Sequence, residues 1–251
     1  MKFPLTLLYI FWLQTAFAQP DSVAFKTTAQ NHQKATSNIR LSNFIVPAAL
    51  ITYGVVAVEN DGLKHLNFIT KEEIREHNPF FKNRLDNYAQ FLPAAVTFSL
   101  NALGIKGEHT VKQQALLYSG IMVLNTGVVF PLKKITAVMR PDSSSATSFP
   151  SGHTSTAFAS AEFLRREYGK QYPWLAVAGY AVAAGTGVYR MLNNKHWLSD
   201  VAAGAGIGIA STNIVYWLYG KVNHKSIMPD GAFLFPTYQN HQIGLMFSKT
   251  F

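Results

Sequence analysis

Charged residues fall in bunches along this chain, and the intervals between the bunches are long. Beyond residue 40, uncharged stretches occupy 41–58, 87–105, 113–132, 143–161, 171–189 and 201–220, each 18 to 20 residues in length. Six such stretches predict six helices, and their length meets the roughly 20 residues that a helix needs to cross a bilayer. They are rich in Gly, Ala, Ser, Thr and Asn, and the mean hydropathy of the whole chain is only +0.07. The same pattern would serve a compact exported helical bundle, but the apolar runs favour a membrane. Small residues such as Ala202, Gly204, Gly206 and Gly208 let helices approach closely in either setting. The expected fold class is therefore all-α, a six-helix bundle embedded in a membrane, with its core over residues 41–222.

The flanks read differently. Residues 1–18 carry Lys2, an apolar run from Leu5 to Trp12, and Ala16-Phe17-Ala18 ahead of Gln19, the pattern of a cleaved signal peptide, with an uncleaved anchor as the alternative. Residues 19–40 are polar and suit a flexible arm. The segment 59–86 holds Lys64, Lys71, Glu72, Glu73, Arg75, Lys82 and Arg84, and reads as a solvated helical hairpin rather than an amphipathic helix lying on a surface. In the tail, 223–251, the residues Ile243, Leu245, Phe247 and Phe251 share one parity and face a second apolar run at Phe233 to Phe235. That alternation predicts a small β-hairpin, and two strands cannot close a barrel.

Composition narrows the function classes. The chain has 251 residues, 48% apolar and only 14% charged, with a net charge of +9 and no Cys. Disulfides, thiolate metal sites and cysteine nucleophiles are excluded together. The basic residues are scattered, with no run of five Lys/Arg, so nucleic acid is not the expected partner. An anionic substrate or an anionic lipid surface fits the positive balance better.

Three clusters carry candidate chemistry. Lys133 and Arg140 are seven positions apart, which on a helix puts both on one face near its end, and Pro141 should terminate that helix. A polar loop leads to Pro150-Ser151-Gly152-His153, where Ser151 or Gly152 can cap the next helix and its free N–H groups make an anion site. Alone, that tetrapeptide is an ordinary turn and cap. Arg190, His196 and Asp200 form the third cluster, in which Asp200 can accept the ring N–H of His196 and leave the other nitrogen free to attack. Helix order brings the three clusters to one side of a bundle. Three cations together suit phosphate oxygens and the loose phosphoryl transition state, and they would repel a divalent metal, so no metal or other cofactor is expected.

Lys133-x6-Arg140-Pro141, Pro150-Ser151-Gly152-His153 and Arg190-x5-His196-x3-Asp200 together resemble the three-part signature of the type 2 phosphatidic acid phosphatase (PAP2) superfamily. The resemblance covers roughly residues 41 to 220. It implies His196 as the nucleophile that becomes phosphohistidine, Asp200 as its orienting partner and His153 as the acid for the leaving group. It further implies that Lys133, Arg140, Ser151, Gly152 and Arg190 bind the phosphoryl group. Tyr189 departs from the pattern, since members commonly carry Ser there.

The resemblance implies an envelope phosphatase acting on a lipid phosphate: lipid A, phosphatidate or phosphatidylglycerol phosphate, or undecaprenyl diphosphate. The alternatives are a soluble periplasmic acid phosphatase with small substrates and, from another class, a non-catalytic envelope scaffold. Haloperoxidase relatives are generally longer chains that need vanadate. Two orientation arguments conflict. A cleaved signal with six spanning helices would put the site on the cytoplasmic side. Lys106, Lys112, Arg165, Arg166, Lys170, Lys221 and Lys225 argue that the opposite turns are cytoplasmic and the site periplasmic.

Overall fold

The computed structural model describes residues 41–224, 232–239 and 242–249. The signal peptide and arm expected over 1–18 and 19–40 lie outside the described residues. A 3-10 turn, Leu41–Phe44, leads into α1 (Ile45–Glu59), followed by α2 (Asp61–His77), the short α3 (Asp86–Ala89), α4 (Leu92–Ala102), α5 (Val111–Thr136), α6 (Gly152–Tyr168), α7 (Pro173–Leu192) and α8 (Leu198–His224). Beyond α8, strands β1 (Ala232–Gln239) and β2 (Gln242–Lys249) pair antiparallel, from Ala232 opposite Lys249 to Gln239 opposite Gln242.

Six helices account for the six uncharged stretches, with two displacements. Residues 143–151 are loop, and α6 instead runs on through Glu162, Arg165, Arg166 and Glu167. Absence of charge therefore did not mark this helix. Its charges are tolerated because they pair inside the fold: Arg165 and Arg166 both donate to Glu162, and Tyr180 of α7 donates to the same carboxylate. In the second stretch the chain forms α3 first, leaving α4 only 11 residues. Among the described residues four helices, not six, are long and apolar enough to cross a membrane: Leu41–Glu59, Val111–Thr136, Pro173–Leu192 and Leu198–Val222. Their outer faces carry Val55, Val123, Phe130, Ile135, Val177 and Val188, all exposed. Apolar side chains exposed in this way match a hydrocarbon surround.

α6 lies at the centre, packed by α4, α5, α7 and α8, while α8 also carries α1. The core between α4, α5, α6 and α8 is Ala94, Leu117, Ile121, Ala159, Phe163 and Tyr216. α8 approaches its neighbours on a glycine edge: a Cβ at Gly206 would lie 2.6 Å from the Pro47 carbonyl oxygen of α1, and one at Gly208 within 3 Å of both Ser155 O and Ala159 N of α6. At the end remote from the α6 N-terminus, buried Glu167 accepts hydrogen bonds from the ring and backbone of His109, from Gln114 and from Tyr216.

The segment expected as a solvated hairpin is a single helix followed by a strap. α2 is tied to the start of α8 by Asn67, which is buried and exchanges two hydrogen bonds with Ser199. Phe68 meets Trp197 edge-on, and Lys71 donates to the Pro141 carbonyl. Alternating charges along 59–86 hid these few anchoring residues.

The helix contacts generate a stability test. Gly208→Ala inserts a methyl group against α6 backbone and should cost about 1–3 kcal/mol, lowering the thermal midpoint of the detergent-solubilised protein. Gly127→Ala in α5, where no atom lies within 4 Å of the new Cβ, should leave the midpoint unchanged or slightly raised.

Candidate active site

Three helix ends converge: the C-terminal ends of α5 and α7 and the N-terminus of α6, with α8 starting beside them. Ser151 caps α6, its hydroxyl accepting from Thr154 N, and its own N–H donates to the Asp200 carbonyl of α8 at 3.0 Å. The first turns of α6 and α8 are thereby held against each other. Between α5, α6 and the adjoining loops opens a cavity of about 530 Å³. Six of the eight residues singled out from the sequence line it: Lys133, Arg140, Gly152, His153, Arg190 and His196. Ser151 and Asp200 are fully buried behind them.

Arg140 reaches the cavity by a route other than helix periodicity. α5 ends at Thr136 because Ala137 takes a left-handed conformation, φ 48°, three residues before Arg140. A tight loop then returns Arg140, its N–H donating to Ser145 O and its carbonyl accepting from Ser143 N. Lys133 holds this loop by donating to the carbonyls of Thr147 (2.7 Å) and Ser148 (3.3 Å). Lys195 and Asp142, 2.5 Å apart, tie it to the turn before α8.

The histidine and aspartate pair is also arranged differently from the expectation. His196 Nδ1 lies 3.4 Å from Asp200 Oδ2, a charge-pair distance without hydrogen-bond alignment. That oxygen is occupied by Ser148 Oγ at 2.5 Å and Trp197 N at 2.8 Å. His196 Nδ1, Asp200 Oδ1 and the Nε atoms of Arg140 and Arg190 are buried without a partner. Two unpartnered guanidinium donors beside a cavity match an anion that would supply their acceptors.

Four contributors went unread in the sequence. Asp86 of α3, buried, accepts from Arg190 Nη1 at 2.6 Å and offsets one of the three site cations. Asn87 Oδ1 lies 2.8 Å from His153 Nε2. Ser148 and Asn67 fix Asp200 and the start of α8, respectively. All four are polar residues in segments without a motif, and their separations of 52 to 132 residues from their partners leave no local signal. Tyr189, the departure from the family pattern, stacks edge-on against Phe81 at 5.5 Å.

Burial sets the protonation of both rings. It pushes His196 down to about 4 even though Asp200 favours its charged form. His153 is likewise held at about 4, first by burial and then by Arg190, Lys133 and Arg140, with Asp86 opposing. Asp142 sits at about 2: burial alone would raise it, and the bonds from Lys195 and Ser144 outweigh that.

The PAP2 superfamily profile matches residues 114–224, which contain every residue of the three motifs. Among its relatives, the Lipid A 1-phosphatase of Porphyromonas gingivalis is 37% identical over 189 residues, an alignment taking in 74% of this chain and 40% of the relative. The chain thus spans about two fifths of that relative's length. Two solved structures also align. Aquifex aeolicus LpxE shows 23% identity over 58% of this chain and 93% of its own, with a TM-score of 0.45. The transmembrane PAP2 type phosphatidylglycerolphosphate phosphatase from Bacillus subtilis shows 17% identity over 73% of this chain and 99% of its own, with a TM-score of 0.45.

Two outcomes follow from the site. Because both rings bind protons more weakly folded than unfolded, their stabilisation is complete above pH 6.5 and is lost as pH falls toward 4. His196 alone should contribute a slope on the order of 1 kcal/mol per pH unit in that window, read as a falling thermal midpoint. Asp86→Ala leaves the buried Arg190 charge unpaired and should cost about 3 kcal/mol, measured the same way, whereas Asp86→Asn, which keeps an acceptor, should cost less.

Proposed function

We propose that this protein is a phosphatase that hydrolyses a phosphomonoester or diphosphate of an envelope lipid through a phosphohistidine at His196. The observation that carries the reading is a cavity in which His196, His153, Lys133, Arg140 and Arg190, with Lys134 beside them, meet Val129 and Phe130. Phe130 is exposed on the outer face of α5, so the charged end of the cavity is continuous with a surface suited to acyl chains. That continuity, with four helices of membrane-crossing length, favours a lipid over the small phosphomonoesters of a soluble acid phosphatase. Two unpartnered guanidinium donors beside buried His196 and half-buried His153 argue against a scaffold, which needs neither. The relative named a Lipid A 1-phosphatase makes a phosphorylated lipid A the first substrate to test.

In this reading Lys133, Arg140 and Arg190, with the N–H groups at the start of α6, bind the phosphoryl oxygens and supply the charge that a metal would otherwise provide. Gly152 has no side chain to fill the cavity; a Cβ there would stand 3.8 Å from Lys133 Cε. With Nδ1 toward Asp200, His196 attacks through Nε2. The P–N bond forms as the P–O bond to the lipid breaks, and the departing oxygen takes a proton from His153. Water then attacks phosphorus, giving a proton back to His153 as the P–N bond breaks and inorganic phosphate leaves. A bound phosphate dianion among the cations raises the proton affinity of His153 above its resting value. The site faces the periplasm in this proposal, with Lys106, Lys112, Arg165, Arg166 and Lys170 at the opposite, cytoplasmic end.

The test is phosphate release from a panel of lipid and soluble phosphates by full-length protein in detergent. Wild type should release phosphate with chelator present, prefer a lipid phosphate and yield acid-labile phosphate on histidine after rapid quenching. His196→Ala should lose roughly 10³-fold or more in kcat while retaining its thermal midpoint within a few degrees. Release at the wild-type rate by this variant, or a strict need for added divalent metal, would overturn the reading.

A further inference from the structure

The strap between α2 and α4 is held against the catalytic end at several points. Asn193, which follows α7, clamps Asn83 twice, accepting from its N–H at 3.0 Å and donating to its carbonyl at 2.8 Å. Asp86 carries the ion pair to Arg190. Gln90, itself a cavity residue, donates to the Asn87 carbonyl at 2.8 Å. Asn87 is therefore fixed from both sides, and its side-chain Oδ1 stands 2.8 Å from His153 Nε2.

We propose that Asn87 is a positioning residue for His153, its side-chain carbonyl holding the Nε2–H so that the other ring nitrogen, Nδ1, carries the proton passed to the departing lipid oxygen. The inference rests on the phosphatase reading and deepens it, naming what aims the acid. The two histidines of the site then have matched but unequal supports. His196, which must become electron-rich to attack phosphorus, faces the carboxylate of Asp200. His153, which must surrender a proton, faces a neutral amide. A carboxylate in that place would stabilise the imidazolium and make it a poorer acid, whereas a carbonyl fixes the ring and adds no net charge. The charges that already face His153 are Arg190 from α7, Lys133 from α5, Arg140 from the loop and Asp86 from α3. Only Asp86 among them favours its protonated form, so a second acid at position 87 would alter that balance directly.

The experiment compares wild type, Asn87→Ala, Asn87→Asp and His153→Ala as full-length protein in detergent micelles. Turnover is measured on an alkyl lipid phosphate and on nitrophenyl phosphate, whose oxygen leaves without a proton, and the His153 ring is titrated by NMR of labelled histidine. Asn87→Ala should lose at least about fivefold more kcat on the alkyl than on the aryl substrate, with KM for each within about twofold of wild type. Asn87→Asp should raise the His153 titration midpoint and carry the alkaline limb of the kcat profile to higher pH. Equal losses on the two substrates in Asn87→Ala, or an unmoved His153 titration in Asn87→Asp, would overturn the assignment. His153→Ala separates the two levels. If it shows the leaving-group bias and Asn87→Ala does not, only the role of Asn87 falls. If it shows none, the acid role of His153 falls and the proposal with it.

Discussion

Two helix N-termini meet beneath the cavity, and they meet only because residue 204 has no side chain. A Cβ on Gly204 of α8 would lie 2.5 Å from the carbonyl oxygen of Ser151, the residue that caps α6. With that clearance the Ser151 N–H reaches the Asp200 carbonyl, and the first turns of α6 and α8 stand together. His153 and Gly152 belong to one of those turns and Asp200 to the other, with His196 just ahead of it. The spacing between the two histidines is thus set by backbone contact rather than by the flexible side chains themselves.

That arrangement concentrates positive potential. Two helix N-terminal ends and three cationic side chains point toward one region, and none of them would be placed there by burial alone. The fold offsets part of this charge with groups taken from elsewhere: Asp86 from α3 on Arg190 and loop carbonyls on Lys133. What is left unmatched, the Nε atoms of Arg140 and Arg190, borders the cavity residues that a phosphate would occupy. Neutral histidines fit the same picture, since burial beside so many cations makes a further positive charge unfavourable.

Much of this site could be read from the order of residues, because Lys133, Arg140, Ser151, Gly152, His153, Arg190, His196 and Asp200 fall within 68 residues and two of their spacings are helical or cap-like. The all-helical architecture was legible for a related reason, though the described residues hold eight α-helices where six were expected: long apolar helices exclude charge over most of their length. The reading failed where tertiary pairing overrides that rule. α6 keeps four charged residues because its neighbours supply partners, so an uncharged window fell too early, on loop residues 143–151. Arg140 was placed on a helix because nothing in the sequence announces that Ala137, a residue without turn chemistry, takes a positive φ. Asp86, Asn87 and Asn67 were invisible for want of locality, each acting on a partner at least 66 residues away.

The polar character of α6 has a consequence for how the protein enters a bilayer. Glu162 depends on Tyr180 of α7 as well as on its own arginines, Arg166 on Asn213 of α8, and Glu167 on Tyr216 of α8 in addition to the earlier His109 and Gln114. Tyr180, Asn213 and Tyr216 are all synthesised after α6. A helix carrying these groups gains little by partitioning into lipid on its own, where each unpaired polar group is expensive. The polar pairing of α6 is therefore complete only once α7 and α8 have been made, so α6, which is not itself among the four membrane-length helices, depends on two later helices for its place in the bundle.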